Sequence, residues 1–285
     1  METKRFIDSN ENNSEDGWIL IVPVSERGCY PEERYRVVDD LAYKALQIHA
    51  QYVKQYINVA IELREDAYPE VIHDVLSKTN SNKILAFGHG SHNAITANDC
   101  IIWLSTHDIP KWVKDKIFIF VACLTGRELC PKLVECGALA AYGLKEPGIV
   151  LCLKGMQYCR FFYAPLIGML ETAIAIENGL PLNEAYKKGI ERWINEIHYW
   201  TNFYYRERII VNNKEYPVPP AAAQLLTLVM THNMRAYVAH LSAMLHIPQP
   251  RATVKDILAL IAGIGVTLTL IQVLQHPMLQ KLATK

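Results

Sequence analysis

Four short apolar runs alternate with segments of helical periodicity, and this alternation constrains the fold more than any other feature of the chain. Residues 18–24 (WILIVPV), 58–63 (NVAIEL), 83–87 (KILAF) and 116–122 (KIFIFVA) each have the length and apolar density of a buried strand. Between the first two, residues 32–57 repeat apolar positions at helical spacing (Val37, Val38, Leu41, Ala45, Leu46, Ile48, Tyr52, Val53) and predict one long helix. Residues 69–78 predict a second helix opening at Pro69, where a missing N–H costs nothing. Such a βαβα order implies a mostly parallel sheet with helices on both faces. Further along, the pattern predicts a small extra strand over 99–104, a turn of helix over 108–113 and a helix over 128–135. Strands are expected over 137–144 and 148–153, then helices over 161–177 and 182–199.

The ends differ from this middle. Residues 1–16 are polar and acidic with no apolar signal-like stretch, so a disordered segment without an export leader is expected, and with it a cytoplasmic catalytic domain. The α/β unit is expected over 17–203 and a C-terminal helical extension over 204–285. The extension begins with a polar, proline-ended insertion (204–218) and continues as helices over 221–245 and 253–275. Within the second of these, 257–274 (ILALIAGIGVTLTLIQVL) carries no charge and reaches the lower limit of a bilayer span, about 17 to 25 residues. The alternative is a helix buried on all sides, and the reading tilts toward a membrane anchor. His232, Asn233 and Arg235 argue against the preceding helix spanning as well.

Composition narrows the partners. The 29 basic and 29 acidic residues cancel, so no overall field recruits nucleic acid. Seven cysteines without a C-x-x-C pair suit neither a disulfide framework nor a zinc knuckle. Cys130, Cys136, Cys152 and Cys159 fall in helical or strand runs and read as core residues. No cofactor and no metal are expected. His92 forms H-x-x-H with His89, but no further paired ligands complete a zinc site.

Two strand ends carry chemistry. His89 follows the third apolar run between Gly88 and Gly90, and Cys123 follows the fourth. In a parallel sheet, reactive groups collect beyond the carboxyl ends of the strands, so neighbouring strands would bring both side chains to one edge. The nucleophilic form of a cysteine is the thiolate, and a histidine one strand away supplies the base that makes it. Gly90 can turn its amide toward a developing oxyanion beside the amide of Cys123.

The segment AFGHGSHN at 86–93, followed by FVACLTGRELCPKLVECGALAAYGL at 120–144, resembles the His and Cys motifs of the caspase-like cysteine peptidases. That superfamily includes caspases, gingipains, separases and CHAT-domain proteases. The stretch FFYAPLIGMLETAIAIENGLPLNEAYKKGIERW at 161–193 is similar to the region after the cysteine in CHAT and gingipain-type members, and the likeness spans about residues 18–199. It implies a three-layer caspase-like sandwich in which His89 is the general base, Cys123 the nucleophile and Gly90 an oxyanion donor. It also implies peptide-bond cleavage through a thioester, with no essential third acid. The residues after the cysteine, Leu124 to Arg127, match the CHAT-like branch better than the animal caspases, so no aspartate preference is carried over. Arg27 can read an acidic side chain and Glu26 or Glu128 a basic one, and no specificity residue is assigned.

The expected function is a cysteine endopeptidase that cuts a specific protein partner, in signalling or defence, under the control of an activating protein. Two alternatives stand beside it: a catalytically weak caspase-fold interaction module, and another Cys-His acyl transferase such as an amidotransferase.

Overall fold

A computed structural model of the chain describes residues 17–24 and 33–242. The elements run β1 (Trp18–Ile21), α1 (Glu33–Val53), β2 (Val59–Leu63), α2 (Pro69–Lys78), β3 (Lys83–Phe87), β4 (Ala94–Thr96), β5 (Ile102–Ser105) and β6 (Ile117–Val121). After them come α3 (Leu129–Glu135), β7 (Ala140–Leu144), α4 (Arg160–Tyr163), α5 (Ile167–Glu177) and α6 (Leu182–Phe203). The described chain closes with β8 (Arg208–Val211), β9 (Lys214–Pro217), α7 (Pro220–Ala236) and β10 (Tyr237–Leu241).

Six strands form one sheet in the order β10-β7-β6-β3-β1-β2, parallel throughout except for β10, which runs antiparallel to β7. The chain steps from β1 outward to β2, then returns past β1 to β3, β6 and β7, so strand order reverses between β1 and β3. Right-handed crossovers in opposite directions must use opposite faces of the sheet. Accordingly α1 covers one face, and α2 and α3 cover the other.

Side-chain alternation splits the core in two. Leu85 and Phe87 of β3 and Ile119 and Val121 of β6 point toward α1, α5, α6 and α7. Ile84 and Ala86, with Phe118 and Phe120, point toward α2, α3 and the β4–β5 hairpin. All eight are buried, and each larger one contributes roughly 1.5–3 kcal/mol by leaving water. The two strand ends that bear His89 and Cys123 are therefore held from both faces.

The three-layer α/β arrangement with a mostly parallel sheet is the one expected from the apolar runs. Four local expectations are corrected. Residues 148–153 form no strand; they cross over the carboxyl edge as an irregular segment. The helix expected over 221–245 ends at Ala236, and 237–241 become the sixth strand of the main sheet. Of the four cysteines expected in the core, Cys136 is exposed at the end of α3 and Cys152 is half-buried, whereas Cys130 and Cys159 are buried. The 161–177 helix is interrupted around Pro165, and the 204–218 insertion is the β8–β9 hairpin. Residues 1–16, the 25–32 stretch holding Arg27 and Glu26, and the apolar 257–274 segment lie outside the described residues. Among the described residues no helix is long and apolar enough to cross a membrane.

Candidate functional site

β3 and β6 pair in parallel with Phe87 opposite Val121. Continuing that register by two residues sets His89 opposite Cys123, at the carboxyl edge and beside the point where strand order reverses. The strand ends are in van der Waals contact. A Cβ built on Gly90 would lie 2.2 Å from the carbonyl oxygen of Cys123 and 2.9 Å from Cγ2 of Thr125. Only a residue without a side chain lets the two loops close to this distance.

On the histidine side, the loop 88–93 folds back onto β4. The N–H of Thr96 donates to the His89 carbonyl at 2.9 Å and the N–H of Ser91 to the Ala94 carbonyl at 2.9 Å. These bonds flank the bridge between Gly90 and Ile95, which is therefore the kind of antiparallel pair whose own amides lie outside the ladder. The Gly90 N–H therefore points away from β4. The imidazole of His89 is half-buried and meets the ring of Tyr43 on α1 edge-on, with centroids 5.5 Å apart.

On the cysteine side the chain reverses sharply. Leu124 adopts φ 62°, a left-handed conformation costly for a residue with a branched side chain. The turn is pinned by the Gly126 N–H donating to the Leu144 carbonyl at 3.0 Å and the Arg127 N–H to the Leu124 carbonyl at 3.0 Å. β10 braces it from the side. His240 Nε2 lies 3.1 Å from the Gly126 carbonyl oxygen, and a Cβ on Gly126 would meet Val238 at 2.5 Å.

The Cys123 thiol is half-buried, and Gly148 lies against it. The Gly148 N–H donates to Sγ at 3.2 Å, and Sγ sits 3.8 Å from the Gly148 carbonyl oxygen. Burial pushes the thiol up from its ordinary value, while the bond from Gly148 opposes that rise. A thiol in this position needs a base to become a nucleophile, since thiolate forms at neutral pH only with such help.

Of the expected site residues, Gly90 lies against the Cys123 carbonyl, and the β3–β6 register sets His89 on the strand end beside that of Cys123. Glu128 is at the start of α3, with its carboxylate 3.9 Å from Nδ1 of His92, and both side chains are largely exposed. The backbone carbonyl of His92 accepts from the N–H groups of Glu128 and Leu129, which ties the histidine loop to the helix after the cysteine. Among the described residues there is no group of three or more His, Cys, Asp or Glu side chains suited to a metal ion. A cavity of about 520 Å³ opens beside α1 and β2, lined among others by Lys44, Glu62 and Arg64 but by neither His89 nor Cys123. Its size therefore has no bearing on the thiol chemistry.

Sequence reasoning missed Gly148, Tyr43 and Asn233. Gly148 and Tyr43 carry no local signal, because their contacts exist only once the strand order is set. Asn233 did leave a trace: a carboxamide inside an otherwise apolar helix is a polar group that has to find partners.

No family model matches the sequence, and no curated protein matches it. Among solved structures, the chain is similar to the Arg-specific cysteine proteinase gingipain R, with a TM-score of 0.39 and 15% identity over 65% of this chain and 43% of that one. It is also similar to the complex of Porphyromonas gingivalis RgpB pro- and mature domains, with a TM-score of 0.42 and 14% identity over 82% of this chain and 49% of that one. The chain thus spans less than half the length of either protein. A likeness of this size decides nothing about chemistry, which rests on the residues themselves.

Proposed function

We propose that the protein is a caspase-like cysteine endopeptidase acting through Cys123 and His89. The observation that carries the reading is the close approach of Gly90 to the Cys123 carbonyl, which couples the histidine and cysteine strand ends into one rigid edge. In the proposed cycle, His89 takes the thiol proton and Sγ attacks the scissile carbonyl carbon. The tetrahedral oxyanion accepts hydrogen bonds from the amides of Gly90 and Cys123. Collapse breaks the C–N bond, and the imidazolium gives its proton to the departing amine. Water, deprotonated by His89, then attacks the thioester and releases the acid and the free thiol.

The raised thiol supports a role for the histidine as base rather than as a bystander to a preformed thiolate. The substrate in this reading is a protein partner, cut in a signalling or defence setting after an activating protein engages the enzyme.

The test compares new protein N-termini in cells expressing the wild type and Cys123→Ala, with any activator present. Wild-type-specific termini sharing one residue type before the cut are expected. Identical profiles from folded proteins would sink the peptidase reading and leave the interaction-module alternative, in which Cys123→Ala retains every binding partner.

A further inference from the structure

We propose that His232 and Asn233, adjacent residues on α7, are positioning residues for the Cys123 thiol, acting through the two peptide groups that flank Gly148. The inference takes Cys123 to be the reactive residue, as above, but it concerns the thiol itself and is tested on the thiol.

The geometry is a relay of two peptide planes. The first joins Pro147 to Gly148. Its carbonyl oxygen lies 2.8 Å from Nε2 of His232, and its N–H, on the opposite edge, donates to Cys123 Sγ at 3.2 Å. Because a carbonyl only accepts, His232 must carry a proton on Nε2 in this contact. The second plane joins Gly148 to Ile149. Its N–H donates to Oδ1 of Asn233 at 2.9 Å, and its carbonyl oxygen, on the other edge, is the Gly148 oxygen 3.8 Å from Sγ. Each plane is gripped by α7 along one edge and turns the other edge to the sulfur.

Asn233 is built for this grip. Its side chain is completely buried, and Nδ2 donates twice more, to the Ile149 carbonyl at 2.8 Å and the Pro165 carbonyl at 2.9 Å. It therefore engages both the N–H and the C=O of Ile149 while anchoring them to the turn just before α5. The segment packs closely on the end of β7 here, since a Cβ on residue 148 would lie 2.6 Å from Cδ1 of Leu144. A segment with no regular secondary structure is thus given the rigidity of the helix beside it.

A held donor has a chemical consequence. An N–H aimed at sulfur stabilises the thiolate, and a carbonyl that itself accepts a hydrogen bond makes the N–H of the same peptide group a better donor. A net hydrogen bond of about 0.5–1.5 kcal/mol corresponds to roughly two- to tenfold in thiolate population at fixed pH.

The experiment is the pH profile of Cys123 alkylation by iodoacetamide in the full chain, read at the Cys123 peptide by mass spectrometry, with exposed Cys136 as internal reference. His232→Ala is expected to move the Cys123 midpoint to higher pH and to slow alkylation at pH 7 by roughly two- to tenfold, leaving Cys136 unchanged. His232→Gln, which restores a donor, should return the midpoint most of the way. A merely structural role gives the opposite sign, because a loosened segment admits water and draws a buried thiol back down. Unchanged or lower midpoints in the His232→Ala protein, whose half-buried side chain is removable without opening the core, would overturn the proposal. A wild type that generates no new N-termini yet shows the expected shifts would sink the peptidase reading alone.

Discussion

An alanine at position 90 would place a methyl group 2.2 Å from the Cys123 carbonyl oxygen, where no contact distance exists. The two loops would have to part, and with them the proposed pair of oxyanion donors. Gly90→Ala is expected to lower kcat on a cleaved peptide by about 10²–10³-fold, as loss of an oxyanion donor does. Cys123 should remain available to iodoacetamide in that variant. A kcat within a few-fold of wild type would remove Gly90 from the mechanism. At this scale the sequence spoke through conjunction. The G-H-G triplet and the cysteine each followed an apolar run, and their meeting depended on β3 and β6 being neighbours. Gly148 was not legible, because nothing within 145–153 refers to a thiol 25 residues earlier in the chain.

Elements were legible where punctuation and periodicity agreed. β2, β3 and β6 each appear within a residue of their expected bounds, and β1 starts at Trp18 as expected but ends at Ile21, short of Pro23. β10 was hidden because Tyr237–Leu241 continues directly from α7 with no glycine or proline between them, and only pairing with β7 decides its conformation. α1 contains a group whose effect reaches the stability of the whole. His49 is fully buried, its Nδ1 bonds the Ala45 carbonyl one turn earlier at 2.6 Å, and Nε2 has no partner among the described residues. Burial lowers its pKa from 6.5 to about 4, the bond to Ala45 opposing. A depressed value means the unfolded chain takes up the proton first, so stability is complete above about pH 6.5 and falls as the pH drops toward 4. At about 1.4 kcal/mol per pH unit that displacement is worth about 3 kcal/mol. Urea unfolding at pH 7 and pH 4.5 should show most of that loss in the wild type and a much smaller part of it in His49→Leu. Equal losses in the two proteins would show that other groups control the acid limb.

For the whole molecule, what joins α4, α6 and the approach to β8 is a buried charge cluster. Glu196, 1% exposed, accepts from Arg160 Nε at 2.6 Å, Arg160 Nη2 at 3.1 Å and Trp200 Nε1 at 3.0 Å. Arg160 also reaches Glu207 at 3.1 Å and lies over the ring of Tyr199, 3.7 Å from its centre. Removing one member strands the others. Glu196→Ala is expected to cost about 3 kcal/mol, the low end for a broken buried pair because Arg160 retains some contact with water and with Glu207. Urea titration measures it, and a loss under about 1 kcal/mol would mean that the cluster behaves like a surface pair. None of this was readable beforehand, since the three segments meet only after the sheet has brought their helices together.

The direction of β10 sets the edge of the sheet at which the described residues end. Running opposite to its neighbour, it starts beside Leu144 at the reactive edge and finishes beside Ala140, where the N–H of Ser242 bonds the Leu139 carbonyl. Leu139 in turn bonds Lys116, just before β6 begins its run toward Cys123. The five-residue strand thus carries the backbone down the height of the sheet, about 16 Å at roughly 3.3 Å per residue. The two poles of the sheet are kept apart: the thiol sits at one, and the last described residue, Ser242, is tied to the other.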